Sequence, residues 1–141
     1  MQATTENLGY LLAKASQRWN ELLFERFRER GFGEVRPAYG SVLLPLFEED
    51  GLRMGELARR ARLSKQTVTT LVRLLERNGL VRRERDPLDG RAFLVLLTPR
   101  SRAFRPVAED VLAALDALVG GRVAARDLDV RRTVLKGVVD L

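Results

Sequence analysis

The chain contains neither cysteine nor histidine. Without thiols there are no disulfides and no thiol-based redox sensing. The soft and imidazole ligands that most transition-metal sites need are also missing. Neither a Cys nucleophile nor a His-based triad can be assembled. Aromatic residues are few, with one tryptophan. No apolar run approaches the ~20 residues of a membrane-spanning helix. The opening MQATTENLGY lacks the basic and apolar regions of a signal peptide, so a cytoplasmic location is expected. No catalytic residue, metal ligand set or cofactor is expected.

What is present is a concentrated positive charge. Residues 51–100 hold 12 Lys/Arg against 5 Asp/Glu, a net of +7, while residues 1–50 carry −2 and residues 101–141 carry +1. The excess therefore belongs to one segment, as a phosphate-facing surface requires. A chain of 141 residues that is 45% hydrophobic and 31% charged is expected to form one globular domain with a real core.

Apolar residues at 8, 11, 12, 15, 19, 22, 23 and 27 repeat at helical spacing, which predicts a helix from about Asn7 to Arg30, ended by Gly31 and Gly33. At roughly 36 Å it is long for so small a domain. It is either an ordinary core helix or one shared with a second subunit, and the second reading is favoured. Pro37 is placed to open a second helix with Tyr39, Val42, Leu43, Leu46 and Phe47 on its apolar face. Asp50-Gly51 forms a turn. A short helix over Met54–Ala61 follows, then one capped by Ser64 and closed by Gly79. Leu80–Arg85 and Arg91–Leu97 read as strands around the turn-forming Asp86–Gly90. Thr98-Pro99 opens another helix, broken at Gly120-Gly121, and a last helix begins near Asp129.

The helix opened by Ser64 has a polar stripe. Gln66, Thr69, Thr70, Arg73 and Arg77 share one face, flanked by Lys65. In a helix-turn-helix the second helix enters the major groove. Gln suits adenine, Lys and Arg suit guanine, and Thr methyls suit thymine methyls. A solvated helix face is the alternative, but the preceding turn and the following hairpin favour DNA contact. The hairpin adds Arg82, Arg83, Arg85 and Arg91. Alternating side chains cannot aim all of them at one spot, so some must serve phosphates and others pair with Glu84, Asp86 or Asp89. Arg91 is the candidate for the minor groove, with Asp89 placed to hold it. The alternative is an Arg–Asp pair that only stabilises the turn.

The run LARRARLSKQTVTTLVRLLERNGLVRR, then DPLDGR, then Leu97-Thr98 closely resembles the MarR family, the multiple-antibiotic-resistance regulators. Asp89-Gly90-Arg91 matches the family's Asp-x-Arg on the wing. The resemblance implies a mainly α fold with a small β-hairpin wing (α+β), in one domain over residues 1–141. Residues 37–98 would form the winged helix-turn-helix lobe, and residues 1–36 and 99–141 the helical dimerisation region. It implies a homodimer on a pseudo-palindromic operator in double-stranded DNA, most simply a repressor, with release by a small aromatic or anionic effector as in many members. Ser64, Lys65, Gln66, Thr67, Thr69, Thr70 and Arg73 would face the major groove. Arg91, oriented by Asp89, would enter the minor groove, with Arg82 and Arg83 on the same wing. Tyr10, Arg18, Trp19 and Tyr39 are candidates for an effector cavity, against the plainer reading of an aromatic core and a surface Arg. Three positions depart from the family pattern: Arg53 replaces a capping Thr, Gly90 a frequent Arg, and Ser101 the usual Gly. Two other function classes stay open: a winged-helix protein-interaction module without its own operator, and a small-molecule enzyme.

Overall fold

The computed structural model of the chain describes residues 3–141; residues 1 and 2 of the expected dimerisation region 1–36 lie outside the described residues. The first helix, α1 (Leu8–Glu29), starts where Asn7 caps it, the Asn7 side chain accepting from Tyr10 N at 2.9 Å. It ends at Gly31, whose φ of +86° lets Phe32 N reach back to Phe27 O. Pro37–Tyr39 is a 3-10 turn rather than the first turn of an α-helix, and α2 (Gly40–Glu48) begins only after it. Its tighter winding lets Tyr39 N bond Arg36 O, directly after the extended Arg36.

Next come β1 (Leu52–Arg53), α3 (Met54–Ala61) and α4 (Lys65–Arg77). Then β2 (Val81–Asp86) and β3 (Asp89–Leu97) form the wing, followed by α5 (Pro99–Gly120) and α6 (Ala125–Val139). The sheet is antiparallel with order β1-β3-β2, Leu52 opposite Val95 and Val81 opposite Leu97. A third strand was not expected from the hairpin alone. The wing turn is also shorter than the five residues Asp86–Gly90: Asp86 pairs with Asp89, leaving only Pro87 and Leu88 between the strands.

Two units make up the described chain, one ending at Ala108 and one running from Glu109 to Leu141, so that the division falls within α5. In the first, the apolar faces of α2, α3 and α4 close over the sheet. Val42, Leu57, Val68, Leu75, Leu80 and Val95 are all fully buried there, which makes them the residues whose truncation would cost most. Phe104 near the start of α5 meets Phe27 edge-on, with ring centroids 4.8 Å apart. Ser101, one of the departures from the family pattern, is fully buried, and its Oγ accepts from Thr98 N at 2.9 Å.

In the second unit α6 begins four residues before the expected Asp129. No helix breaker lies between Gly121 and Asp129, and Asp127 in the first turn favours a helix start there. Val130, Val134, Leu135 and Val139 of this helix are exposed. Among the described residues no helix is long and apolar enough to cross a membrane.

Candidate nucleic-acid interface

α3 and α4 are joined by Arg62, Leu63 and Ser64. Arg62 adopts a left-handed φ of +54°, which lets Leu63 N bond Ala58 O at 3.1 Å and ends α3 abruptly. That conformation costs a non-glycine residue free energy, and it makes the tight turn of a helix-turn-helix. Ser64 then opens α4: its Oγ accepts from Thr67 N at 3.1 Å and donates to Thr67 Oγ1 at 2.8 Å. Val68, Val72 and Leu75 face the core, which turns the opposite stripe outward.

The stripe carries two kinds of side chain. The hydroxyls are turned inward: Thr69 Oγ1 donates to Lys65 O at 2.7 Å and Thr70 Oγ1 to Gln66 O at 3.1 Å. Lys65, Gln66, Arg73 and Arg77 are exposed and have no side-chain hydrogen bond or ion pair among the described residues.

The neighbouring arginines differ. On α3, Arg59 and Arg60 both hold Glu56, and Arg60 also reaches Glu49 at 2.6 Å. These bonds pull the Glu56 carboxyl from its ordinary 4.5 to about 2, first through Arg59 and then through Arg60. A depressed carboxylate keeps its pairing above the ordinary value and loses it only as pH falls towards the lower one, so the cluster stays charged under physiological conditions.

On the wing, Arg82 pairs with Glu84 at 2.6 Å and Arg85 donates to Gly90 O at 2.6 Å. Arg83 reaches Glu76 on α4 at 3.2 Å, a partner outside the hairpin. Arg91 is the most open, its side chain 94% exposed and its Nε 3.4 Å from Asp89 Oδ1. Asp89 also accepts from Arg91 N at 3.1 Å, so it fixes the backbone more firmly than the guanidinium. At Gly90 a Cβ would meet nothing within 4 Å, so space does not dictate glycine.

Two residues pair in a way the sequence did not show: Asp86 was expected only as a turn former or a partner for the wing arginines, and Arg53 only as a weaker cap. Asp86 is buried and acts with both oxygens. Oδ1 accepts from Leu88 N at 2.8 Å, closing the wing turn, and Oδ2 takes Arg53 Nε at 2.7 Å and Nη2 at 2.5 Å. Arg53, at the head of α3, makes no side-chain cap; it ties that head to the wing instead. The Leu88 amide and then Arg53 hold the Asp86 carboxyl below its ordinary range. Its contribution to stability is therefore present above the ordinary carboxylate value and is lost as pH falls through the depressed one. Asp86→Ala should lower Tm by several degrees and Asp86→Asn by less, since Asn can still accept from Leu88 N. Equal Tm values for both variants and the parent, by calorimetry at neutral pH, would show that the clamp does not hold the wing.

Of the remaining candidates, Tyr39 is buried, its hydroxyl accepting from Asn78 Nδ2 at 2.8 Å. Tyr10 is exposed on α1, Arg18 pairs with Glu21 at 3.1 Å, and Trp19 is half-buried.

The model of the MarR family matches residues 37–92, from the turn before α2 into the second wing strand. The HTH-type transcriptional regulator TtmR of Methylorubrum extorquens (strain PA1) is 36% identical over 100 residues, 71% of this chain and 49% of that protein. The winged-helix segment of residues 37–92 is that of the MarR family. The chain spans about half the length of the curated relatives it matches, from 47% to 58%. Two solved structures of transcriptional regulators superpose along almost all of it. The repressor CouR of Rhodococcus jostii RHA1, bound to a 23-mer DNA duplex, has a TM-score of 0.81 at 26% identity, covering 99% of both chains. PcaV of Streptomyces coelicolor, in complex with its natural ligand, has a TM-score of 0.82 at 25% identity, covering 99% of this chain and 98% of that one. The fold is the MarR winged helix, mostly helical with a small three-stranded antiparallel sheet.

Proposed function

We propose that the chain is a sequence-specific DNA-binding transcriptional regulator, a repressor of the MarR type that works in the cytoplasm as a homodimer. One observation carries this reading. The basic residues of α3 and the wing are paired with the protein's own oxygens, whereas Lys65, Arg73 and Arg77, on the outward stripe of α4, have no side-chain partner among the described residues. Unpaired cations on one helix face are what phosphates and guanine edges need. Ser64, Lys65, Gln66, Thr67, Thr69, Thr70 and Arg73 face the major groove in this reading. Arg91 enters the minor groove beside Asp89, and Arg82 and Arg83 meet the backbone once they leave their carboxylate partners. The protein binds and performs no catalytic step. The likeness to CouR, seen with a DNA duplex, supports the DNA partner.

Dimerisation rests on exposed apolar residues at both ends of the chain, Leu8, Tyr10 and Leu11 on α1 and Val130, Val134 and Val139 on α6. An interface that covers them should exceed ~2,000 Å² and make folding depend on concentration. A well-folded monomer by sedimentation at micromolar concentration would contradict it. Release by a small aromatic or anionic effector belongs to the same reading and rests on the likeness to PcaV, seen with its ligand. Trp19, Arg18 and Tyr10 on α1 are the side chains open to such a ligand, while Tyr39 is held in the core by Asn78.

An electrophoretic shift with genomic fragments at moderate salt tests the DNA-binding reading. A discrete complex with particular fragments, resistant to unrelated DNA, is the expected result. Equal weak retardation of every fragment would favour the protein-interaction module instead.

A further inference from the structure

We infer that the centre of each operator half-site is a thymine, recognised by the γ-methyl of Thr70. The inference rests on the DNA-binding reading above and adds the chemistry of its central contact. The hydroxyls in the first half of α4 are all engaged within the helix or its cap. Ser64 and Thr67 bond each other, Thr69 bonds Lys65 O, and Thr70 bonds Gln66 O. A hydroxyl drawn back to the carbonyl four residues earlier leaves the methyl as the outward group. Of the two threonines on the stripe, Thr70 is exposed and Thr69 is half-buried. Thr70 therefore presents an apolar spot in the middle of a polar stripe.

Its neighbours fix the register. Gln66 lies four residues before it and Arg73 three after, both exposed and without a side-chain partner among the described residues. From Gln66 to Arg73 the helix advances about 10 Å, about three base-pair steps of ~3.4 Å. A hydrogen-bonding reader thus stands at each end of that span, with a methyl between them. Thymine is the base that offers a methyl to the major groove. The stripe then discriminates thymine from cytosine and uracil at its centre by apolar contact, and its flanking bases by hydrogen bonds.

The test uses the full-length protein and an operator obtained by selection from random DNA. Each thymine is replaced in turn by uracil, which removes only the methyl. One position per half-site should respond, with affinity falling about fourfold for one half-site and about fifteenfold for both, the value of one buried methyl group each. Thr70→Ser should bind the thymine operator correspondingly weaker and no longer distinguish uracil. Thr70→Val keeps the methyl and should keep the parent's preference for thymine over uracil. Uracil tolerated at every position would overturn the inference. So would loss of binding in Thr70→Val with retention in Thr70→Ser, because the hydroxyl would then be the reader. Failure to select any sequence would instead overturn the DNA-binding reading itself.

Discussion

Raising monovalent salt from about 50 to about 200 mM should weaken operator binding about ten-thousand-fold. A dimer engaging roughly eight phosphates releases enough counterions for a log–log slope near −7. The arginines should not contribute equally. Lys65 and Arg77 have no protein partner to give up among the described residues, so each should carry close to one unit of slope per subunit. Arg82 is already held by Glu84 at 2.6 Å. A phosphate must displace that carboxylate, so Arg82→Ala should change the slope less than Arg77→Ala. Fluorescence anisotropy across the salt series measures both slopes. A flat response would show that the basic segment does not face DNA.

The second large effect separates base reading from groove reading. Arg73→Ala should cost about 1–3 kcal/mol per half-site and change the preferred base, because an Arg on the groove-facing stripe can pair with guanine in two hydrogen bonds. Arg91→Ala should act otherwise. Its side chain stands 94% exposed on the wing, and a minor-groove Arg responds to groove width and potential rather than to a unique base pattern. Binding should weaken at all sites, most where the flanks are rich in A·T pairs, with the major-groove consensus unchanged. Asp89→Ala should give a weaker form of that loss, since Asp89 holds both the Arg91 amide and, loosely, its side chain. Binding curves for the three variants against one operator and its point-mutated set make the comparison. Parent-like binding by Arg91→Ala would mean that the wing is structural only.

Much of this architecture was legible because it is written locally. Ser64 caps α4 through a neighbour three residues away, and glycines with positive φ, Gly31 and Gly79, end α1 and α4. Spacing of that kind needs no tertiary information. The two-residue β1 was not legible, since Leu52-Arg53 is too short to show alternation and becomes a strand only by pairing with β3. The onset of α2 was misplaced because Pro37 suits the first turn of a 3-10 helix as well as that of an α-helix. At the candidate interface, residue types showed where cations lie but not which were already paired. Arg83 found Glu76 on α4 rather than an acid of the hairpin. Asp86, a turn former by sequence, proved to be a buried carboxylate bound to Arg53, 33 positions away. Only the folded chain brings that pair together, so no local pattern announces it.

Selection of bound fragments from random-sequence DNA bears most directly on the central claim. A twofold dimer presents two copies of α4, so the enriched sequences should be inverted repeats with half-site centres about 10–11 bp apart, one turn of the duplex. Enrichment of a single asymmetric half-site, or of no sequence at all, would contradict a dimeric operator-binding regulator.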